Sequence, residues 1–245
     1  MTGSVAMLRI NMWSSPRNIS TALMYAFAQR SDTTVVDEPL YAHYLATTGR
    51  VHPGNAEVLA AQNNDGAAVV GDVILGSYDT PVVFFKQMAK HLVELDRSFM
   101  TAGRNVLLTR DPHDMLTSLQ LQLQLPDATL ADTGLTELVE ILDELVVGGE
   151  TPIVIDSKSL LSDPPRVLDE LCARLGLAFD DAMLAWPPGP KPEDGVWARH
   201  WYSAVHQSTG FEPWRPKHEP LAPNLERVLD EAYPLHARLQ AWAIT

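Results

Sequence analysis

Five short, continuously apolar runs recur along the chain, at residues 6–13, 33–36, 82–85, 105–109 and 152–155. Apolar runs of this length without alternation read as strands buried on both faces. Between them the spacing becomes helical. Residues 19–29 and 111–123 carry it, and 133–147 places Leu135, Leu138, Val139, Leu142, Leu145 and Val146 on one face. Residues 164–175 start with Asp163 as an N-cap and Pro164 at the first helical position. Helices alternating with buried strands predict an α/β protein, a three-layer sandwich with a mostly parallel central sheet. The pattern holds no internal repeat and no long linker, so 1–245 is expected to be a single domain. The strongest break is PPGPKP at 187–192. Residues 187–220 read as an extended lid or substrate-side loop with a short helix at 199–207. A last helix at 224–242 is expected to be interrupted at Pro234.

Ligands of such folds sit at the carboxyl ends of the strands, and the polar clusters of this chain fall there. The first run ends in Ser14-Ser15-Pro16-Arg17-Asn18, after which Ile19, Ser20 and Thr21 open an amphipathic stretch. A strand, a tight loop and a helix start bring backbone N–H groups and a positive dipole end together. Arg17 adds a fixed charge, and Ser20 and Thr21 add hydroxyls. The segment suits an anion such as phosphate, and it equally suits an ordinary capped turn. The Gly-x-x-x-x-Gly-Lys spacing is absent. The fourth run ends in Arg110-Asp111-Pro112, with Ser118 about two turns into the next helix. Arg110 and Ser118 can therefore reach one anionic group, while Asp111 reads as a cap rather than a metal ligand.

The second run ends in Asp37-Glu38-Pro39. Glu38 is a candidate to take a proton from an acceptor nucleophile, and Asp37 reads as part of a solvated turn. The third run ends in Phe85-Lys86-Gln87. Its lysine either sits in the crevice, where it could stabilise charge on a transferring group, or snorkels to water. His91 reads as a helix-face residue, and spacing selects neither His43 nor His113. Tyr41, His43 and Tyr44, with Trp197, Trp201, Tyr202, His206, Phe211 and Trp214, either line an acceptor pocket or pack as core and loop.

Composition narrows the partners. With 31 acidic and 18 basic residues the net charge is −13. Such a balance argues against nucleic acid or an anionic membrane as the main partner, and it makes locally gathered Arg and Lys more informative. One cysteine, Cys172, excludes an intramolecular disulfide and a cysteine-based zinc site. It lies in the stripe Val167, Leu168, Leu171, Leu175 and reads as core. No window approaches the roughly 18–20 apolar residues of a membrane span, and no signal-like start is present. A cytoplasmic location is expected.

Taken in order, these pieces resemble the sulfotransferases that use 3′-phosphoadenosine-5′-phosphosulfate (PAPS). Pro16-Arg17-Asn18-Ile19-Ser20-Thr21 is similar to their 5′-phosphosulfate loop, commonly Pro-Lys/Arg-Ser-Gly-Thr-Thr. Leu108-Thr109-Arg110-Asp111-Pro112 with Ser118 is similar to their 3′-phosphate motif. Residues 155–179, with Ser162-Asp163-Pro164 and Leu175-Gly176-Leu177, match a further family segment. Residues 13–23 and 35–44 in tandem resemble a bacterial branch. The resemblance covers about residues 8–214.

The resemblance implies a P-loop-like fold and transfer of a sulfuryl group from PAPS to a hydroxyl or amine of a small molecule. Adenosine 3′,5′-bisphosphate (PAP) would be the product, and no metal would be needed. It implies donor contacts from Ser15, Pro16, Arg17, Asn18, Ile19, Ser20, Thr21, Arg110 and Ser118. Lys86 and Arg17 would support the transferring group. Glu38 would be the base, because the Lys-x-His motif of some members is replaced by Lys86-Gln87-Met88. Glu38, Tyr41, His43 and Trp201 would meet the acceptor. Ile19 replaces the usual loop glycine. The family's Arg-Lys-Gly loop is missing, with Lys191, Gly195 and Trp197 as candidate substitutes. Two other classes compete. A P-loop-type nucleotide kinase would need ATP and Mg²⁺, and its Walker lysine is missing. A non-catalytic nucleotide-binding protein would keep Arg17 and Arg110 but tolerate loss of Glu38 and Lys86. The oligomeric state is not legible in the sequence.

Overall fold

Each of the five apolar runs is a strand. The computed structural model describes residues 7–244; Ala6, at the edge of the first expected strand, lies outside the described residues. In chain order the elements are β1 (Leu8–Ser14), α1 (Ser20–Ala28), β2 (Thr33–Asp37), α2 (Tyr41–Thr48), α3 (Asn55–Ala61) and α4 (Gly66–Val69), which runs into a π-turn (Val70–Ile74). After β3 (Val82–Met88) and β4 (Arg104–Thr109) come α5 (Pro112–Gln122), α6 (Leu130–Thr133) and α7 (Leu135–Val147). The chain ends with β5 (Ile153–Asp156), α8 (Ser157–Ser162), α9 (Pro164–Leu175), α10 (Ala198–Trp201), α11 (Ser203–Gln207) and α12 (Pro223–Gln240).

The fold is α/β with a five-stranded parallel sheet in the order β2-β3-β1-β4-β5. In the β2–β3 pair Thr33 faces Val82 and, at the carboxyl end, Asp37 faces Lys86. In the β4–β5 pair Val106 faces Ile153 and Thr109 faces Asp156. No helix among the described residues is long and apolar enough to cross a membrane.

The chain divides into two compact units. The first comprises the residues up to Met12, Ser20–Asn105 and Asp180–Phe211. Here α1 packs on β2 and β3, with Phe27 stacked on Phe84 at 4.2 Å between ring centres. All seven residues of β3 are buried, as a strand covered on both faces must be. Helices α2 and α3, which the apolar pattern does not disclose, bury Tyr41, Tyr44, Leu45 and Val58 against Trp197 and Tyr202. The reason is visible in α2. Five consecutive residues, Tyr41 to Leu45, are buried, so no one-sided stripe exists to be read.

The second unit comprises Trp13–Ile19, Val106–Phe179 and the residues from Glu212. Helix α9 lays Val167, Leu168, Leu171, Cys172 and Leu175 into the core, with Asp163 accepting from the Arg166 N–H as its cap. Cys172 is core, as its stripe implies.

Four details differ from the expected pattern. Helix α7 starts at Leu135 rather than 133, because Gly134 adopts a left-handed φ of +67°. On α7, Ile141 is buried and Val146 is 42% exposed, because the buried face follows Leu138, Ile141, Leu142 and Leu145. The expected helix at 199–207 is two short helices broken at Tyr202, whose ring is buried in the first unit's aromatic cluster. Helix α12 continues through Pro234. Pro234 and Asp230 are both exposed, so the carbonyl that loses its partner is left to water. Leu225, Ala232, His236 and Leu239 hold the inner face.

Candidate functional site

The loop after β1 is built within the second unit by polar contacts that the sequence spacing only partly shows. Arg17 has a left-handed φ of +57°, unusual for a residue with a side chain. The surroundings hold it there. Its carbonyl accepts from Arg110 Nη1 at 2.6 Å, and its own Nε donates to Ser118 Oγ at 3.0 Å. Its Nη2 donates to Gln122 Oε1. Asn18 fixes the rest of the turn. Its Nδ2 donates to the Leu108 carbonyl at 2.9 Å, and its Oδ1 accepts from the Ile19 N–H at 3.0 Å. Ser157 Oγ, at the start of α8, bridges Asn18 Oδ1 and the Thr109 carbonyl. Gly134 lies against this loop: a Cβ there would stand 3.4 Å from Pro16 Cδ, at a φ that already disfavours a side chain.

Arg17, Arg110 and Ser118 are thus brought together. Asp111 caps α5, accepting from the His113 and Asp114 N–H groups at 2.9 and 3.2 Å. It is the helix cap.

Near the loop, cations gather against the acidic balance of the chain. Burial, and then the neighbouring Arg110, lower the proton affinity of Arg17 below the usual arginine range. Burial, and then Arg110, lower that of Lys217 as well. Lys217 Nζ reaches the Asp114 carbonyl at 3.4 Å, and Trp214 Nε1 donates to Asp114 Oδ2 at 3.3 Å. Lys158 Nζ lies 4.4 Å from the centre of the Trp214 ring. Three buried hydroxyl oxygens, Ser15 Oγ, Thr109 Oγ1 and Thr117 Oγ1, make no hydrogen bond within the protein. Buried polar atoms without partners are uncommon. Crowded cations together with unused hydroxyls fit an anionic ligand.

The first unit holds a second polar cluster. Lys86 is fully buried, and its ammonium donates to Asp37 Oδ1 at 2.9 Å, to Tyr202 OH at 2.7 Å and to Glu38 Oε1. Asp37 is not a solvated turn residue. Parallel register sets it beside Lys86, and its Oδ2 accepts from Tyr202 OH at 2.8 Å and from the Gly195 N–H at 3.2 Å. Trp197 Nε1 donates to the same tyrosine oxygen at 3.1 Å. Glu38 has a positive φ of +37°. Its backbone is locked by Glu38 N–H to the Lys86 carbonyl at 2.8 Å and by Gln62 Nε2 to its own carbonyl at 3.0 Å. Such strained positions persist only where surroundings over-determine them, and they gather at functional sites.

The electrostatics follow from burial. For Lys86 burial opposes the charge, but Asp37, Glu38 and Tyr202 more than offset it and hold the ammonium well above the ordinary lysine range. Burial raises the proton affinity of Glu38, Lys86 lowers it and Asp37 raises it again, with a net rise. His91 is stacked on Tyr41, with ring centres 4.9 Å apart. Burial, then Lys90 and Lys86, hold it well below the ordinary histidine range, so it is neutral at pH 7.

Of the expected acceptor residues, Tyr41 and His43 are buried and Trp201 is half-buried. Tyr41 OH pairs with His52 Nδ1 at 2.7 Å, and His43 Nε2 with the Val93 carbonyl at 2.8 Å. Lys191 closes its own Pro-rich turn through the Pro187 and Gly189 carbonyls. Gly195 and Trp197 instead serve the Asp37–Tyr202 group. Sequence reasoning missed Gln122, Ser157, Lys217 and the role of Asp37. Gln122 carried a signal, since it stands four residues after Ser118 on one helix face. Among the described residues no group of three or more His, Cys, Asp or Glu is arranged to hold a metal ion.

Residues 8–243 match the Sulfotransferase domain family. Over 235 residues the chain is 42% identical to branched-chain-amino-acid aminotransferase-like protein 1 of Arabidopsis thaliana, covering 95% of this chain and 41% of that protein. The chain thus spans about two fifths of the length of that curated relative. Among solved structures, the sulfotransferase domain from the curacin biosynthetic pathway has a TM-score of 0.55 at 16% identity, over 94% of this chain and 99% of that one. A sulfotransferase from Alicyclobacillus acidocaldarius has a TM-score of 0.56 at 15% identity, over 96% and 95% of the two chains. These likenesses show a shared fold. With the family match running through both polar clusters and nearly from one end of the chain to the other, this chain belongs to the sulfotransferase domain family.

Proposed function

We propose that this chain moves a sulfuryl group from PAPS to a hydroxyl or amine of a small molecule. The observation that carries the reading is the junction of Arg17, Arg110 and Ser118 at the loop after β1, inside a family match. Sulfuryl transfer, like phosphoryl transfer, asks for positioning and charge stabilisation. The acceptor's lone pair forms a bond to sulfur as the bond from sulfur to the 5′-phosphate oxygen breaks, and that electron pair leaves with PAP.

The chain's own residues supply the rest. The N–H groups of the loop from Ser15 to Thr21, with the Ser20 and Thr21 hydroxyls and Arg17, hold the 5′ side of the donor. Arg110 and Ser118 bind the 3′-phosphate, which ATP lacks, and Lys217 adds charge beside Arg110. Glu38 accepts the proton released by the acceptor, and its raised proton affinity brings it closer to the working pH of a base. Lys86 balances charge beside Glu38. Tyr41, His43 and Trp201 shape the acceptor side.

Calorimetric titration with adenosine 3′,5′-bisphosphate, with ATP–Mg²⁺ as the control, tests the reading. Micromolar binding of the bisphosphate and none of ATP is expected. Binding of ATP–Mg²⁺ in preference would point to a kinase, and binding of neither by folded protein would sink the proposal.

A further inference from the structure

The Lys86 ammonium has three hydrogens, and three acceptors surround it: Asp37 Oδ1, Tyr202 OH and Glu38 Oε1. The two carboxylates are not equivalent. Asp37 is 1% exposed and is also held by Tyr202 and the Gly195 N–H. Glu38 is anchored through Lys86 and keeps 11% exposure. Two carboxylates and one ammonium leave an uncompensated negative charge in a desolvated site, and like charges so close resist joint ionisation. A proton on the more accessible carboxylate relieves this, while Asp37 stays as the partner of Lys86.

We propose that Asp37 and Tyr202 are positioning residues that pin the Lys86 ammonium and so make Glu38 the member of the cluster that exchanges a proton. The proposal rests on the reading of Glu38 as proton acceptor. In that step the O–H or N–H bond of the acceptor breaks, its proton passes to a Glu38 carboxylate oxygen, and its electron pair forms the bond to sulfur. Lys86 remains an ammonium throughout. The groups that act on Glu38 come from every neighbouring element: Lys86 on β3, Asp37 on β2, Lys90 after β3, Tyr41 on α2, and Tyr202 between α10 and α11.

Carbon-13 NMR titration of the glutamate carboxyls in the full chain, without nucleotide or acceptor, tests the arrangement. Glu38→Gln assigns the signal. In the wild type the Glu38 midpoint lies above that of an ordinary glutamate. Asp37→Asn removes the like charge and leaves Lys86 to Glu38, so the midpoint falls by about one unit or more. Tyr202→Phe keeps the ring packing but releases Lys86 from one of its three acceptors, so the midpoint falls by about half a unit. If Asp37→Asn does not fold, Tyr202→Phe carries the test. Midpoints within about 0.3 unit of wild type in the folded variants would overturn the proposal. Failure of adenosine 3′,5′-bisphosphate to bind would count against the donor assignment and leave these midpoints where they are.

Discussion

Replacing Lys86 by methionine keeps most of the side-chain volume and deletes one charge at the centre of a buried network. The wild-type ammonium contacts Asp37 at 2.9 Å and Tyr202 at 2.7 Å, with both ion-pair side chains at 2% exposure or less. Removing one partner of a buried pair costs about 3–5 kcal/mol, because the remaining charge is left without compensation. Here the lower end applies. Asp37 keeps the Tyr202 hydroxyl and the Gly195 N–H, and Glu38 can relieve its own charge by taking a proton. The expected loss is therefore about 3 kcal/mol. The double variant Asp37→Asn with Lys86→Met removes the stranded charge and should recover about 2 kcal/mol of it, a coupling typical of groups in direct contact. Urea unfolding of wild type, the two single variants and the double variant gives all four values. A Lys86→Met loss below about 1 kcal/mol, or simple additivity, would show that the cluster is not the tightly coupled ion network its geometry describes.

Two further outcomes follow from the same contacts. Arg17→Ala removes the guanidinium from the loop while Arg110 keeps its bond to the residue-17 carbonyl. Binding of adenosine 3′,5′-bisphosphate should weaken by about 10- to 100-fold, the worth of about 1.5–3 kcal/mol for a charged hydrogen bond. Calorimetry within a few-fold of wild type would remove Arg17 from the site. His91 gives a stability signature in acid. Its folded-state proton affinity is depressed, so its stabilising share is whole above the unfolded histidine value and declines as pH falls below it. Between about pH 6.5 and 5.5 the loss from this one group is about 1 kcal/mol. Urea unfolding at the two pH values should show a slope that His91→Gln lowers by about one proton, and equal slopes would refute the assignment.

The strands and most long helices were legible because their signals are local. A strand buried on both faces needs an unbroken apolar run, and β3 from Val82 to Met88 supplies one. Helix α9 announces itself with Asp163, Pro164 and a clean stripe. The loop's candidate residues were legible for a similar reason, since the strand-to-helix turn, Arg17, Arg110 and Ser118 each sit at fixed offsets from an element end. Helices α2 and α3 were not, because their burial comes from contacts with Trp197 and Tyr202, more than a hundred residues away.

By itself the sequence determined the α/β alternation and where along the chain Arg17, Glu38, Lys86 and Arg110 stand, at the carboxyl ends of strands. Only the tertiary structure decided what Asp37 is. Beside a proline and a glutamate it reads as a solvated turn, yet parallel pairing of β2 with β3 sets it against Lys86, and Tyr202 and Gly195 close over it. A charge is buried or exposed according to what surrounds it, and those partners lie 49, 165 and 158 residues along the chain. Local spacing carries no information about contacts at that range, whereas desolvation and Coulomb energy are set entirely by them.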